Sequence, residues 1–189
     1  MTQVLTKPTS LTDPLDVILQ GCRQGDLPSQ EQLYRHCYPD MIKVCYRYAG
    51  DMDGASIIFN NAMLRVFKNI GKYKEEGRLA GWIKTIVMNC SIDFVKKQNR
   101  FKEVTKEDME EYEMETSAEA FSRLSAKEIR EIIQELPKAT AAVFNLFIYE
   151  GYTHKQISES LGISEGTSKW HINEGRRLLK TKMENFINP

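Results

Sequence analysis

Three histidines, four cysteines and two tryptophans leave this 189-residue sequence few groups for covalent chemistry. His36, His154 and His171 are scattered, none beside a paired nucleophile, and there is no Gly-rich phosphate loop. An enzyme is therefore the least supported class. Cys22, Cys37, Cys45 and Cys90 form no C-x-x-C pair and have no matching His, which argues against a metal site, and no cofactor is expected. Cys37, Cys45 and Cys90 fall on apolar helix faces and read as buried free thiols. Long apolar runs are missing too. Nothing approaches the roughly 18 consecutive apolar residues of a membrane span, and the opening MTQVLTKPTSLTDP has no apolar core of a signal peptide. The expectation is a cytoplasmic protein without membrane insertion. No segment alternates convincingly as a strand, so the chain is expected to be all-α.

Net charge of one sign is also absent, with 26 Lys and Arg against 26 Asp and Glu. The balance hides an asymmetry. Residues 29–104 hold 13 basic and 8 acidic groups, residues 105–135 hold 4 and 10, and residues 136–189 hold 7 and 5. Two basic blocks thus flank an acidic one, and local field matters more than the sum. The pattern divides the chain into a loose N-terminus (1–12), a helical domain (13–104), an acidic flexible linker (105–124) and a second helical domain (125–189).

Within the first domain, Pro14 opens a helix with Leu15, Ile18, Leu19 and Cys22 on one face. Ser29 and Gln32 have the spacing of a capping box. Leu33, Cys37, Ile42, Cys45 and Ala49 carry the next stripe to Gly50, with Pro39 expected to kink or break it. Ile58, Ala62, Val66 and Ile70 recur at fourfold spacing in a third helix. A charged stretch, KYKEEGRLAG (72–81), interrupts the periodicity. A long fourth helix then buries Leu79, Trp82, Ile83, Ile86, Val87, Cys90 and Phe94.

The most informative stretch is GYTHKQISESLGISEGTSKWHINEGRRLLK (151–180). Thr153 and Gln156 form a capping box, Ile157 and Leu161 share one face, and Gly162 suits the turn. Ser164 caps a second, polar-faced helix in which Ile172, Leu178 and Leu179 face inward. This is the helix-turn-helix pattern, whose second helix enters the DNA major groove. Thr167, Ser168, Lys169, Trp170, His171, Asn173, Arg176 and Arg177 are its candidate DNA contacts.

The second domain, through IQELP (133–137), VFNLFIYEGYTHKQISESLGISEGTSK and RRLL, resembles the promoter-reading C-terminal domain of extracytoplasmic-function (ECF) sigma factors of the sigma-70 family. The first domain resembles the N-terminal core of the same family through EQLYRHCYPDM, LRVFKNIGKY and GWIKTIVMNCSIDFVKK. The resemblance covers roughly residues 12–104 and 125–185. It implies a dissociable subunit of bacterial core RNA polymerase with two DNA-reading parts. The first would recognise and melt the −10 element through Lys72, Tyr73, Lys74, Arg78, Lys84, Asn89, Lys96, Lys97 and Arg100, with Tyr73 stacking on an extruded base. The second would read the −35 element. Polymerase would be gripped around Ile57, Ile58, Asn60, Asn61 and Arg65, where the family usually carries carboxylates and a glutamine. Trp170 to Glu174 is a second departure, since the family favours small polar and basic residues there. An anti-sigma factor or another recruiting protein is a further partner the family implies. The competing readings are a helix-turn-helix regulator that does not use polymerase, and an adaptor recruited by another DNA-targeting protein.

Overall fold

The computed structural model describes residues 14–74, 78–98 and 133–187, and these form seven α-helices and one 3-10 turn, with no strand. Arg100, Ile129, Ile132 and the acidic stretch 105–124 lie outside the described residues.

The first helices are α1 (Pro14–Arg23), α2 (Leu27–Ala49), α3 (Met52–Asn69) and α4 (Leu79–Gln98), with the 3-10 turn Ile70–Lys72 between the last two. Helices α2, α3 and α4 pack against one another, and α1 lies on α2. Leu33, Ile58, Phe59, Met63, Val66, Ile83, Val87 and Val95 are fully buried between them, each contributing about 1.5–3 kcal/mol of transfer free energy.

Two local expectations for α2 need correction. Its N-cap is Asp26, whose carboxylate accepts from the Ser29 amide at 2.9 Å, rather than a Ser29–Gln32 box. Pro39 does not break the helix, which runs unbroken from Leu27 to Ala49. A proline removes one amide and orphans the carbonyl four residues back. Here Arg35 and Pro39 both lie on the solvent face, so water can serve the orphan, while Leu33 and Cys37 anchor the helix on the other side.

The C-terminal helices are α5 (Lys138–Ile148), α6 (His154–Leu161) and α7 (Glu165–Ile187). The Thr153–Gln156 capping box forms as expected: the Gln156 amide donates to Thr153 Oγ1 at 3.2 Å and the Thr153 amide to Gln156 Oε1 at 2.9 Å. Gly162 takes φ 72°, a left-handed conformation that favours glycine. The Thr167 amide donates to Ser164 Oγ at 2.9 Å, which starts α7. A Cβ on Gly175 would stand 2.9 Å from Phe144 Cδ2, so α7 approaches α5 more closely than any side chain at that position allows.

Candidate nucleic-acid interface

Helix α7 divides its residues sharply. Lys169, Asn173, Arg177 and Lys180 are exposed, spaced by four, four and three, with Trp170 and Arg176 half-buried beside them. The opposite face carries Ser168, Ile172, Gly175 and Leu179, all buried. Thr167, Ser168 and His171, candidate DNA contacts by sequence, are instead all buried. Each is held inside by a polar contact. Thr167 bonds Ser164, the Ser168 hydroxyl lies 3.0 Å from His154 Nδ1, and His171 Nδ1 lies 3.0 Å from Thr140 Oγ1 on α5. Burial holds the His171 pKa down to about 4, with Glu174 opposing. His154 stacks on Phe147 with centroids 5.0 Å apart, and burial followed by Lys169 lowers its pKa as well. These histidines fix the angle of α7 on α5 and α6 as neutral groups. Glu174 binds Arg177 through two contacts of 2.8 Å, which leaves Lys169, Asn173, Arg176 and Lys180 as the side chains with most scope to meet DNA.

In the N-terminal domain, Lys72, Lys74 and Arg78 are exposed around the interruption. Tyr73 is not presented to a base. Its side chain packs on Trp82 with centroids 5.3 Å apart, the residue is 8 % exposed, and its carbonyl accepts from Arg23 Nη2 at 3.1 Å. The ring builds the loop's floor, and the cations stand around it.

On α4, Asn89, Lys96 and Lys97 are exposed on adjoining turns. Lys84 departs from that set: at about 100° per residue it lies roughly 140° round the helix from Asn89, and its Nζ pairs with Glu150 Oε2 at 2.8 Å.

On α3, Ile57 (52 % exposed), Asn60, Asn61 and Leu64 (67 % exposed) make one outward stripe. Ile58 and Phe59 belong to the core instead, both being essentially fully buried. Tyr34 and Tyr38 set their rings against Phe59 at centroid distances of 4.8 and 5.3 Å, and Tyr34 Oη donates to Asn60 Oδ1 at 2.9 Å. Arg65 is tied to Asp93 on α4 at 2.9 Å. Sequence reasoning missed Leu64, whose i+7 relation to Ile57 was the available signal.

Among the described residues no helix is long and apolar enough to cross a membrane, and no group of three or more His, Cys, Asp or Glu is placed to hold a metal ion.

A helical domain followed by a helix-turn-helix domain is the organisation that family comparison finds as well. Residues 33–101 match the model for sigma-70 region 2, and residues 126–179 match sigma-70 region 4. The chain belongs to the sigma-70 family, and within it to the ECF type. It is 28 % identical over 162 residues to the ECF RNA polymerase sigma factor SigE of Mycolicibacterium smegmatis, covering 83 % of this chain and 62 % of that protein. It is 26 % identical over 167 residues to SigL of Mycobacterium tuberculosis, covering 85 % of this chain and 94 % of that one. The chain thus spans less than two thirds of the first relative and nearly all of the second. A solved structure, the sigma factor RpoE in complex with the anti-sigma factor NepR from Bartonella quintana, aligns with TM-score 0.47 at 14 % identity, covering 82 % of this chain and 96 % of that one.

Proposed function

We propose that this chain binds bacterial core RNA polymerase, recognises −10 and −35 promoter elements, and promotes the melting from which transcription starts. It acts in the cytoplasm with the polymerase and supplies binding energy and sequence choice; it carries out no covalent step itself. The observation that carries this reading is the presence of both sigma regions, in order, in one chain. The regulator and adaptor alternatives give no account of the N-terminal region. Exposed Lys169 and Asn173 on α7, with half-buried Trp170 and Arg176 beside them, meet the −35 element. Lys72, Lys74, Arg78, Asn89, Lys96 and Lys97 meet the −10 element, over a floor made by Tyr73 and Trp82. The stripe Ile57, Asn60, Asn61 and Leu64, with Arg65 at its edge, meets polymerase through apolar and amide contacts.

Reconstitution tests this. Core polymerase plus the purified chain should give transcripts from a subset of a random promoter library, and core alone should not. If the chain neither co-elutes with core enzyme nor yields promoter-dependent transcripts, the regulator reading replaces this one.

A further inference from the structure

At the seam between the two domains one carboxylate meets two cations. Glu150 follows α5, where Gly151 at φ 69° turns the chain and the Glu150 amide donates to the Asn145 carbonyl at 3.3 Å. That turn aims the Glu150 side chain back at the N-terminal domain. There it meets Arg47 Nη2 on α2 at 3.2 Å and Lys84 Nζ on α4 at 2.8 Å, with only 7 % of the side chain exposed. Arg47 also lies over the Tyr149 ring, 4.7 Å from its centroid, and its carbonyl accepts from Asn145 Nδ2 at 3.0 Å. Because this carboxylate is mostly out of water, removing one of its cations leaves a buried charge uncompensated, which costs more than breaking a solvated surface pair.

The same seam is poorly finished otherwise. Tyr48 Oη and Asn145 Oδ1 are buried there with no protein partner, and a cavity of about 10 Å³ is lined by Arg47, Ile133, Gln134, Asn145 and Tyr149. Buried polar atoms without partners penalise a closed interface, and a permanent one would be close-packed. An ionic grip beside buried polar atoms that the closed state leaves unserved is the character of a contact that can part.

Size says why it must part. A compact chain of 189 residues has a radius of gyration of about 16 Å and a diameter of about 40 Å. Elements centred at −10 and −35 are about 25 base pairs apart, or roughly 85 Å along B-form DNA. The closed chain cannot touch both. We propose that Glu150, held by Arg47 and Lys84, is an ionic latch that keeps the free chain closed and unable to engage both promoter elements until the domains separate. This rests on the two-element reading above and adds a regulated step to it.

The test uses the full chain. At low salt, carbodiimide should join Lys84 to Glu150 without a spacer, and the joined peptides should be found by mass spectrometry; the Lys182–Glu135 pair serves as an internal positive control. Glu150→Gln should raise the radius of gyration measured by X-ray scattering. Lys84→Gln, which leaves the Gly151 turn untouched, should do the same. In reconstituted transcription, Glu150→Gln should lower the concentration of chain needed for half-maximal transcript, by about tenfold if nine chains in ten are closed. Glu159→Gln, an exposed carboxylate on α6, measures the general effect of losing one negative charge and should shift that concentration little. A radius unchanged in both folded variants, or an opened Glu150→Gln chain no more effective than Glu159→Gln, overturns the latch. The scattering and coupling experiments need neither DNA nor polymerase, so a wild-type and variant that are both silent in transcription, whatever their radius, overturn the functional reading instead.

Discussion

His171 shows how a polar residue in a recognition helix can serve packing alone. It is buried against Thr140, and burial sets its pKa near 4, against an ordinary value of 6.5. A histidine that resists protonation in the folded state makes the unfolded state the better proton acceptor. Stability is therefore complete above about pH 6.5 and is lost as pH falls toward about 4, by roughly 3 kcal/mol in all. His154, with its pKa also lowered, acts in the same direction. His171→Gln should flatten the pH dependence of urea midpoints between pH 4 and 6.5 relative to wild type. Parallel curves for the two proteins would show that His171 does not control acid sensitivity.

Helix α7 shows what was legible and what was not. Its caps, its turn glycine and its apolar positions Ile172 and Leu179 follow from sequence, because capping chemistry and periodicity are local. The orientation of Thr167, Ser168 and His171 does not. Small hydroxyls and a neutral imidazole are polar in composition yet can be satisfied inside, and their partners Thr140 and His154 lie on other helices. That Pro39 does not break its helix was hidden for a related reason: proline's cost is local, but the exposure of the orphaned carbonyl is a tertiary fact. Tyr73 looked available because its loop lacked periodicity, and of its two readings, stacking on a base or packing on Trp82, the fold shows the second. Two classes of substitution in α7 should then behave differently. Lys169→Ala should weaken DNA binding across sequences and lower the salt slope by about one unit, whereas Asn173→Ala should change preference at one or two base pairs by roughly 1–3 kcal/mol. Ser168→Val should lower thermal stability and leave the preference intact. Gel-shift titrations against a promoter library, beside melting curves, separate the classes. A changed base preference in Ser168→Val would mean that this side chain reads DNA after all.

For the whole molecule, one set of buried apolar side chains runs through both domains, and an ion cluster sits where they meet. Salt screens exposed and half-exposed charge far more than it affects apolar burial. At the seam only the Lys84 side chain, 44 % exposed, is open to that screening, so calorimetry should resolve two unfolding transitions that move apart modestly as salt rises. A single transition of constant width from low to high salt would mean that the domains unfold as one unit through contacts other than Glu150.

The four thiols have a use of their own. All lie between residues 22 and 90, and all are buried and free. Burial pushes Cys37 up to about 11 and Cys45 up to about 12, so at neutral pH neither offers thiolate to an alkylating reagent while its helix is in place. The C-terminal domain has no cysteine at all. Alkylation is thus a clock that runs only when the N-terminal domain opens, and it ticks for that half alone. Counted by mass in a mixture with polymerase or DNA, it reports how long one domain of the chain stays folded without any probe being added.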